Sequence, residues 1–305
     1  MTPRPARILL SRPILTSIVF LGLLTAQACM AGIPLSQPDG EALTLPDPAE
    51  RIITLAPNLA ELVFAAGAGG QLVAVVEYSN FPAEVAQLPR VGDAFRIDLE
   101  SILEFEPDLV IAWKSGNPQS ALQKLIQLGI RVWQIEITRP NDIAQTVEDI
   151  SRAAGTEAAG LVAARRLQEK LGRLQQQNSG KAPVEYFYQI ASRPLYTING
   201  QHIISHSLEI CGGVNVFSDL PALAPQIGRE SVILADPEVM IAPANSGEAP
   251  ALEDWMKWPH LKAVRNDNMI YLPADEISQA APRLLDSIER ACELLDEVRA
   301  KPERP

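Results

Sequence analysis

The chain has 305 residues, 47% of them hydrophobic, and a formal net charge of −11 at pH 7. This length is about twice that of a typical domain, so we expect two lobes, each with a core of its own. Acidic charge without any run of Lys or Arg beyond pairs argues against nucleic acid or an anionic membrane surface as a partner.

Residues 1–28 have the features of a secretory signal peptide. Three arginines precede an apolar run from Ile14 to Leu24, and Ala26 and Ala28 provide an A-x-A cleavage site. The apolar run is too short to span a membrane as a helix. We therefore expect export to the periplasm, with residues 29–50 as a leader that is rich in Pro, Asp and Gly.

The three cysteines have different expectations. Cleavage after Ala28 leaves Cys29 as the first residue, which raises a lipid anchor as an alternative. Bacterial lipidation sites prefer Leu at −3 and a small residue at −2, whereas Ala26 and Gln27 stand there, so we expect no acylation. Cys211 and Cys292 would lie in an oxidising compartment, where pairing in a disulfide is expected.

Residues 51–155 alternate between strand and helix patterns, which predicts an N-terminal α/β lobe with a parallel sheet covered on both faces. Pro and Gly residues mark the ends of these elements. The pattern predicts strands at 51–56, 71–76, 108–113 and 130–135, and helices at 58–66, 100–104 and 119–128.

A single long amphipathic helix is predicted for residues 156–178. At 1.5 Å per residue it would span about 33 Å. A coiled coil is the alternative, but the apolar stripe covers only two heptads, so a helix that bridges two lobes is favoured. The stripe consists of Leu161, Ala164, Leu167, Leu171 and Leu174.

Residues 183–300 repeat the alternation and predict a second α/β lobe. The sequence therefore predicts two α/β lobes with parallel sheets, joined by a single long α-helix. Strands are expected at 183–190, 239–242 and 269–272, and helices at 203–211, 230–235 and 281–300.

One segment occurs twice. ESILEFEPDLVIA begins at Glu100 and ESVILADPEVMIA begins at Glu230, an offset of 130 residues. Each copy opens with a glutamate at the start of a predicted helix, where the positive end of the helix dipole favours an acid and the side chain can face solvent.

The order and spacing of several segments resemble one protein family. From Arg51 to about Leu295, the chain resembles the periplasmic binding proteins of cobalamin and iron-chelate ABC importers, which have the class III fold of two Rossmann-like lobes. EYSNFP and AWKSGN look most like the cobalamin branch. The resemblance implies a monomer without catalytic residues, bound metal or resident cofactor. The landmarks are RIITLAPNLAELVFAAG, EYSNFP, LESILEFEPDLVIAWKSGNP, LGIRVW, LEICGGVNVF, PQIGRES and AAPRLL.

The resemblance gives the repeated glutamates a role. Family members present one glutamate on each lobe to arginines of a two-fold symmetric ABC permease dimer in the inner membrane. Glu100 and Glu230 match those positions. The alternative is that each acid only stabilises the start of its helix.

The resemblance also implies that a corrinoid lies between the lobes, where the carboxyl ends of the strands face each other. Tyr78 matches a tyrosine that packs on the corrin ring, and Tyr196 matches an aromatic residue of the opposing lobe. Asp275 matches an acid near the ligand. Asn58 follows the first strand, where its amide can meet corrin amides, and Phe95 is expected to replace a cleft tryptophan.

Four positions depart from the best-known cobalamin binders. Ala94 and Ala224 stand where cleft tryptophans are expected, Gln279 replaces an arginine, and Ile190 replaces a phenylalanine. The pocket is therefore less aromatic, which leaves the exact corrinoid open. Trp113 can either line the rim of the cleft or pack inside the lobe.

Rival interpretations change the cargo or the class of protein. Haem would need an axial ligand, for which Tyr78, His202 and His206 are candidates, but two histidines without a third ligand are weak evidence for a metal site. A ferric siderophore would want several cleft arginines. An exported enzyme is disfavoured, because the chain has no G-x-G-x-x-G after a strand, no P-loop and no G-x-S-x-G.

Overall fold

The computed structural model describes residues 32–40, 42–244 and 251–302. The predicted signal peptide and Cys29 lie outside these residues. Among the helices of the described ranges, none combines the length and the apolar character needed to cross a bilayer.

The chain first forms an antiparallel hairpin of β1 (Ile33–Ser36) and β2 (Ala42–Leu45), which the sequence pattern did not predict. Leu35 and Leu45 are buried in the core of the first lobe. The indole of Trp133 donates a hydrogen bond of 2.9 Å to the carbonyl of Ser36. This part of the leader is therefore packed against the lobe.

The first sheet, within residues 52–135, contains four parallel strands in the order β4-β3-β5-β6. Its strands are apolar at nearly every position, as expected for strands covered on both faces. In chain order the elements are β3 (Ile52–Thr54), α1 (Pro57–Ala65), β4 (Leu72–Val75), α2 (Leu99–Glu104), β5 (Leu109–Trp113), α3 (Gln119–Gln127), β6 (Val132–Ile135) and α4 (Pro140–Ala154).

A helical hairpin follows the first sheet. Helix α4 ends at Gly155, which takes the left-handed conformation, and α5 (Glu157–Asn178) turns back against it. The two helices meet at Gly160, where a Cβ would lie 2.1 Å from the Cβ of Ser151. The predicted stripe is wrong at Leu161, which is 43% exposed, because the close contact passes through Gly160 and Ala164 instead.

The second sheet, within residues 184–273, has the order β10-β7-β11-β12 and is also parallel. Three of its lobe's short strands, β8, β9 and β10, escaped the sequence pattern because two or three residues carry too little periodicity. The elements are β7 (Val184–Tyr188), β8 (Ala191–Ser192), β9 (Leu195–Tyr196), α6 (Ile203–Ile210), β10 (Gly213–Asn215), α7 (Arg229–Ala235), β11 (Val239–Ala244), α8 (Lys262–Arg265), β12 (Met269–Pro273), α9 (Ala274–Ile277) and α10 (Leu284–Ala300).

The two sheets have the same topology. In each, the first strand in sequence pairs with the second on one side and the third on the other, and the fourth lies outside the third. The repeated segment supplies the third strand of each sheet, β5 and β11, and the short helix before it, α2 and α7. The predicted fold class, two parallel-sheet α/β lobes joined by a long helix, is confirmed.

The predicted disulfide is also confirmed. Cys211, directly after α6, bonds Cys292 of α10, with a Cα–Cα distance of 4.7 Å. Both cysteines are buried in the second lobe.

Candidate functional site

The candidate ligand residues lie near the carboxyl ends of strands. Asn58 is the second residue of the helix after β3, and Tyr78 lies in the loop after β4. Tyr196 belongs to the β8–β9 hairpin after β7, and Asp275 follows β12. Phe95 lies in a loop that Asn117 ties to the end of β3. Open α/β sheets generally bind ligands outside this edge, so these residues lie where a ligand is expected.

Two aromatic side chains of the first lobe are largely exposed to solvent. Tyr78 is 79% exposed and has a φ of 66°, a left-handed conformation that a tyrosine rarely adopts. Phe95 is 72% exposed. Large exposed rings mark surfaces that receive a ligand or a partner, and backbone outliers of this kind cluster at functional sites.

A buried amide holds the Phe95 loop in place. The Nδ2 of Asn117 donates hydrogen bonds to the carbonyls of Leu55 (2.8 Å) and Ala94 (2.9 Å), and its Oδ1 accepts one from the backbone of Trp113 (2.7 Å). Asn117 is only 4% exposed. It therefore ties the ends of β3 and β5 to the residue before Phe95, a role that sequence reasoning missed although AWKSGN was recognised.

Trp113 packs at the end of β5. A Cβ at Gly116 would lie 1.9 Å from the Trp113 ring, so the turn that follows the strand requires glycine beneath the indole. The indole N–H donates to Glu136 Oε1 at 3.4 Å, and Glu136 also accepts from the backbone and hydroxyl of Ser115. Trp113 makes these packing contacts and is still 36% exposed at the carboxyl end of β5, so both expectations for it stand.

The rim of the second lobe is built on the β8–β9 hairpin. The carbonyl of Tyr196 accepts a hydrogen bond of 2.9 Å from the backbone of Ile190, whose side chain is partly exposed. At the base of the hairpin, the buried Gln189 accepts from the indole of Trp255 (2.7 Å) and donates to the carbonyl of Ala251 (2.7 Å). These bonds fix the backbone that presents Tyr196.

Arg283 joins the two lobes at this edge. Its Nη2 donates to Glu61 Oε1 at 2.7 Å and its Nε to Glu61 Oε2 at 3.1 Å, so the guanidinium binds the α1 carboxylate through two nitrogens. Its Nη1 donates to Asp275 Oδ2 at 3.0 Å. The guanidinium also lies 4.1 Å from the ring centroid of Phe81. Asp275, predicted to be near the ligand, is therefore a partner of Arg283.

Sequence reasoning missed this cluster of Glu61, Phe81, Asp275 and Arg283. One signal was present: Glu61 interrupts an otherwise apolar helix in APNLAELVFAAG, and buried acids are rare unless paired. The partner could not be identified from sequence, since Arg283 lies 222 residues away. Asn58 adds a weaker link, because its Nδ2 lies 3.5 Å from the carbonyl of Ala280.

Burial governs the electrostatics of the cluster. Desolvation raises the pKa of Glu61 above its ordinary value, while the hydrogen bonds and charge of Arg283 oppose that rise. The pKa of Arg283 is raised, chiefly by its hydrogen bond to Glu61. Partial burial, and then the neighbouring Asp275, raise the pKa of Glu276. Arg283 therefore compensates acids from both lobes.

The two histidines proposed as haem ligands lie on α6. His202 is the N-cap, and its Nδ1 accepts a hydrogen bond of 3.2 Å from the backbone of Ile204. Burial, assisted by the charge of His206, lowers the pKa of His202 to about 4. His206 Nδ1 lies 3.6 Å from Glu209 Oε2. Over the residues described, no group of three or more His, Cys, Asp or Glu side chains is placed to hold a metal ion.

Glu100 and Glu230 occupy equivalent, exposed positions in the two lobes. Each is the second residue of its helix, α2 or α7. Asp98 caps α2 by accepting from the backbones of Glu100 and Ser101 at 3.1 Å. The hydrogen bond from the Ser101 hydroxyl, and then these backbone contacts, lower the pKa of Asp98. One turn after Glu230, Leu234 is 89% exposed.

Comparisons with known proteins agree with this geometry. Residues 52–276 match the family described as periplasmic binding protein. The chain is 37% identical over 254 residues to a vitamin B12-binding protein of Vibrio cholerae serotype O1, covering 83% of this chain and 91% of that protein. It is 33% identical over 247 residues to the vitamin B12-binding protein of Photorhabdus laumondii, covering 81% and 88%.

Solved structures show the same likeness. The crystal structure of the periplasmic vitamin B12 binding protein of Vibrio cholerae superposes with a TM-score of 0.77 at 36% identity, covering 83% of this chain and 99% of that one. The periplasmic heme binding protein HutB of Vibrio cholerae superposes with a TM-score of 0.70 at 24% identity, covering 80% and 98%. At that identity the second likeness concerns the fold alone.

Proposed function

This chain belongs to the periplasmic binding protein family, and from that premise we propose that it captures cobalamin or a related corrinoid between its lobes and delivers it to an ABC permease. The relatives that are 33–37% identical are vitamin B12-binding proteins. The placement of the candidate residues at the carboxyl edges of both sheets supports a ligand site between the lobes.

The main structural support for this proposal is the solvent-exposed ring of Tyr78. A flat macrocycle is bound best by aromatic faces and a few polar groups. Tyr78 and Phe95 offer two exposed rings on the first lobe, and the half-buried Tyr196 offers a ring on the second. Asp275, whose side chain is 72% exposed, supplies a polar group at this edge, whereas Asn58 is only 8% exposed and presents little of its amide there.

The departures from other cobalamin binders bear on which corrinoid is bound. Ala94 is half-buried beside Phe95, Ala224 is exposed, and Gln279 stands one residue before Ala280. Ile190 offers an aliphatic face instead of a ring. A pocket with fewer rings discriminates less by stacking, so we propose that cobinamide is also accepted.

Calorimetric titration of the mature protein with cobalamin, cobinamide and haemin tests the proposal. We expect saturable binding of both corrinoids and shifted corrin bands in the visible spectrum. Tyr78→Ala should weaken cobalamin binding by about 2 kcal/mol, the size of an interface hot spot. Leu128→Ala, which removes another exposed apolar side chain, is the matched control.

Haem is the alternative cargo, because the exposed phenol of Tyr78 can serve as an axial ligand. In that case haemin would bind and give a Soret band, and Tyr78→Phe would shift that band. Neither corrinoid would produce a binding signal in the calorimetric titration. This pattern would replace the corrinoid proposal with a haem-binding one.

We propose that the protein is a monomer and that Glu100 and Glu230 dock onto the permease dimer, one from each lobe. The double variant Glu100→Lys/Glu230→Lys should abolish import in cells while leaving corrinoid affinity within a factor of a few. Glu157→Lys/Glu169→Lys makes the same change of charge on α5 and should leave import intact. A loss of affinity by orders of magnitude in the first variant would instead place those acids in the ligand site.

A further inference from the structure

A single arginine connects the parts of the cleft that come from different lobes. Arg283 stands just before α10 in the second lobe, and Glu61 lies in α1 of the first. The two hydrogen bonds between them measure 2.7 and 3.1 Å. A planar guanidinium that binds a carboxylate through two nitrogens fixes orientation as well as distance.

The pair is shielded from solvent. The Glu61 side chain is 5% exposed and that of Arg283 is 16% exposed. Screening by water and salt is weak at such a site, so the pair holds its geometry better than a surface ion pair would. A polar link beside it, from Asn58 to Ala280, is long at 3.5 Å.

The same guanidinium contacts both rims of the cleft. On the first lobe it stacks 4.1 Å from the Phe81 ring, and Phe81 lies three residues after Tyr78 in the same loop. On the second lobe it donates to the side chain of Asp275 at 3.0 Å and to its carbonyl at 3.1 Å. Arg283 therefore sits between the loop that presents Tyr78 and the turn that presents Asp275.

We propose that Arg283 is a positioning residue that latches the lobes together and keeps the Tyr78 loop in register with Asp275. Arg283 makes its hydrogen bonds to Glu61 and Asp275. It therefore acts on the ligand indirectly, through Phe81 and Asp275, and does not contact the ligand itself. The latch preorganises the cleft, which lowers the cost of ordering its two rims when the macrocycle binds. This inference rests on the proposed function for its ligand and on the contacts of Arg283 for the latch.

Four variants separate positioning from a purely structural role. Arg283→Gln removes the latch and leaves Glu61 as a buried unpaired acid. Arg283→Lys keeps a charge but loses the planar fork and the stacking surface. Glu61→Gln combined with Arg283→Gln removes both charges, so no lone charge is buried. Arg290→Gln, which breaks only an exposed ion pair with Glu293 on α10, is the matched control.

Three measurements are made on each variant: thermal unfolding, cobalamin affinity, and hydrogen exchange of the segment 76–82 in the ligand-free protein. Arg283→Gln should lower the affinity about tenfold or more, and Arg283→Lys should retain an intermediate affinity. Amides of residues 76–82 should exchange faster in both, while the α3 segment 119–127 should not change. The control should match the wild type throughout.

The double variant Glu61→Gln/Arg283→Gln is decisive. We expect thermal stability to return toward the wild-type value, because the buried lone charge is gone, while affinity stays low and exchange of residues 76–82 stays fast. If affinity and exchange both recover along with stability, Arg283 serves stability alone and the inference is wrong. Unchanged affinity and exchange in Arg283→Gln would overturn it as well.

The outcome is separable from that of the proposed function. If the wild-type protein binds no corrinoid, the proposed function fails, yet the exchange measurements still report on the latch because they need no ligand. If the wild type binds cobalamin and the exchange of residues 76–82 does not respond to Arg283, the latch fails while the proposed function stands.

Discussion

Asn117 and Arg283 show how single polar side chains, the first buried and the second half-buried, hold distant segments of the chain together. Each makes hydrogen bonds to segments that are far apart in sequence, and each lies behind residues that are proposed to meet the ligand. A buried polar side chain is stable only with its partners in place. Such residues therefore specify one arrangement of the surrounding loops.

Asn117→Ala should lower the free energy of unfolding by about 2 to 4 kcal/mol, because it leaves the carbonyls of Leu55 and Ala94 without their donor. It should also weaken corrinoid binding, since the Phe95 loop loses its tie. Chemical denaturation and titration measure the two effects. Gln119→Ala removes one exposed hydrogen bond to Lys114 and should change neither quantity measurably; a similar effect of both variants would contradict this role.

The Glu61–Arg283 pair predicts a specific pH dependence. Burial raises the pKa of Glu61 in the folded protein, so the folded state binds more protons than the unfolded state above the ordinary pKa of 4.5, and stability falls as pH rises through that window. Arg283 opposes this rise in the pKa of Glu61. In Arg283→Gln the pH range over which stability falls should therefore extend to higher pH.

Arg283→Gln should accordingly lower the free energy of unfolding by about 2 to 4 kcal/mol at pH 8. This is toward the lower end of the range for a broken buried ion pair, because the site borders the cleft. The cost should shrink at pH 5, where Glu61 is protonated more easily. Denaturation of variant and wild type at both pH values measures this difference. A cost that is independent of pH would show that Glu61 does not titrate in this range.

The helical hairpin of α4 and α5 shows how an element is fitted to its neighbour. Gly160 lets the two backbones approach closely, whereas a Cβ added at Gly172 of the same helix would meet no atom within 4 Å. The first glycine is required by packing. The second glycine, Gly172, has no such packing role and only lowers the helix propensity of α5.

Gly160→Ala and Gly172→Ala should therefore have opposite effects. The first forces its methyl into Ser151 and should cost about 1 to 3 kcal/mol, as overpacking does. The second should stabilise by about 0.5 to 1 kcal/mol, because alanine is the better helix former. Thermal and chemical denaturation of the matched pair check the sign, and equal effects would contradict the packing argument.

The disulfide ties two helices of the second lobe across 81 residues of sequence. Cys211→Ser/Cys292→Ser should lower the stability by roughly 4 kcal/mol in the chain-entropy model, often less in practice. Corrinoid affinity should be retained at temperatures where the variant is folded, because the bond lies on α6 and α10 and not at the carboxyl edges.

At the scale of the whole molecule, the two lobes are joined by the bridging helix and by a separate ion pair. Helix α5 packs on α4, and its Lys170 makes ion pairs with Asp286 (2.5 Å) and Glu289 (2.7 Å) of α10. Glu61 and Arg283 form a separate tie at the cleft. Lobes joined by one packed helix and a second contact should close less on binding than lobes joined by flexible strands.

Small-angle scattering tests this expectation. The radius of gyration with saturating cobalamin should agree with that of the ligand-free protein within experimental error. A clear compaction would indicate hinge closure, in which case the latch would form on binding instead of preceding it.

Short-range pattern was enough to predict the fold class, and the expected export to an oxidising compartment was enough to predict the disulfide between Cys211 and Cys292. Apolar runs, three- and four-residue periodicity and Gly or Pro at element ends are local properties, and the repeat at Glu100 and Glu230 showed that the alternation occurs twice. It was not enough for the hairpin β1–β2, the strand β10 or the exposure of Leu161, since short strands and helix faces are decided by what packs against them. Glu61 and Arg283 stand 222 residues apart, and nothing local predicts their ion pair: only the folded chain brings the two lobes close enough for one guanidinium to bind acids from both.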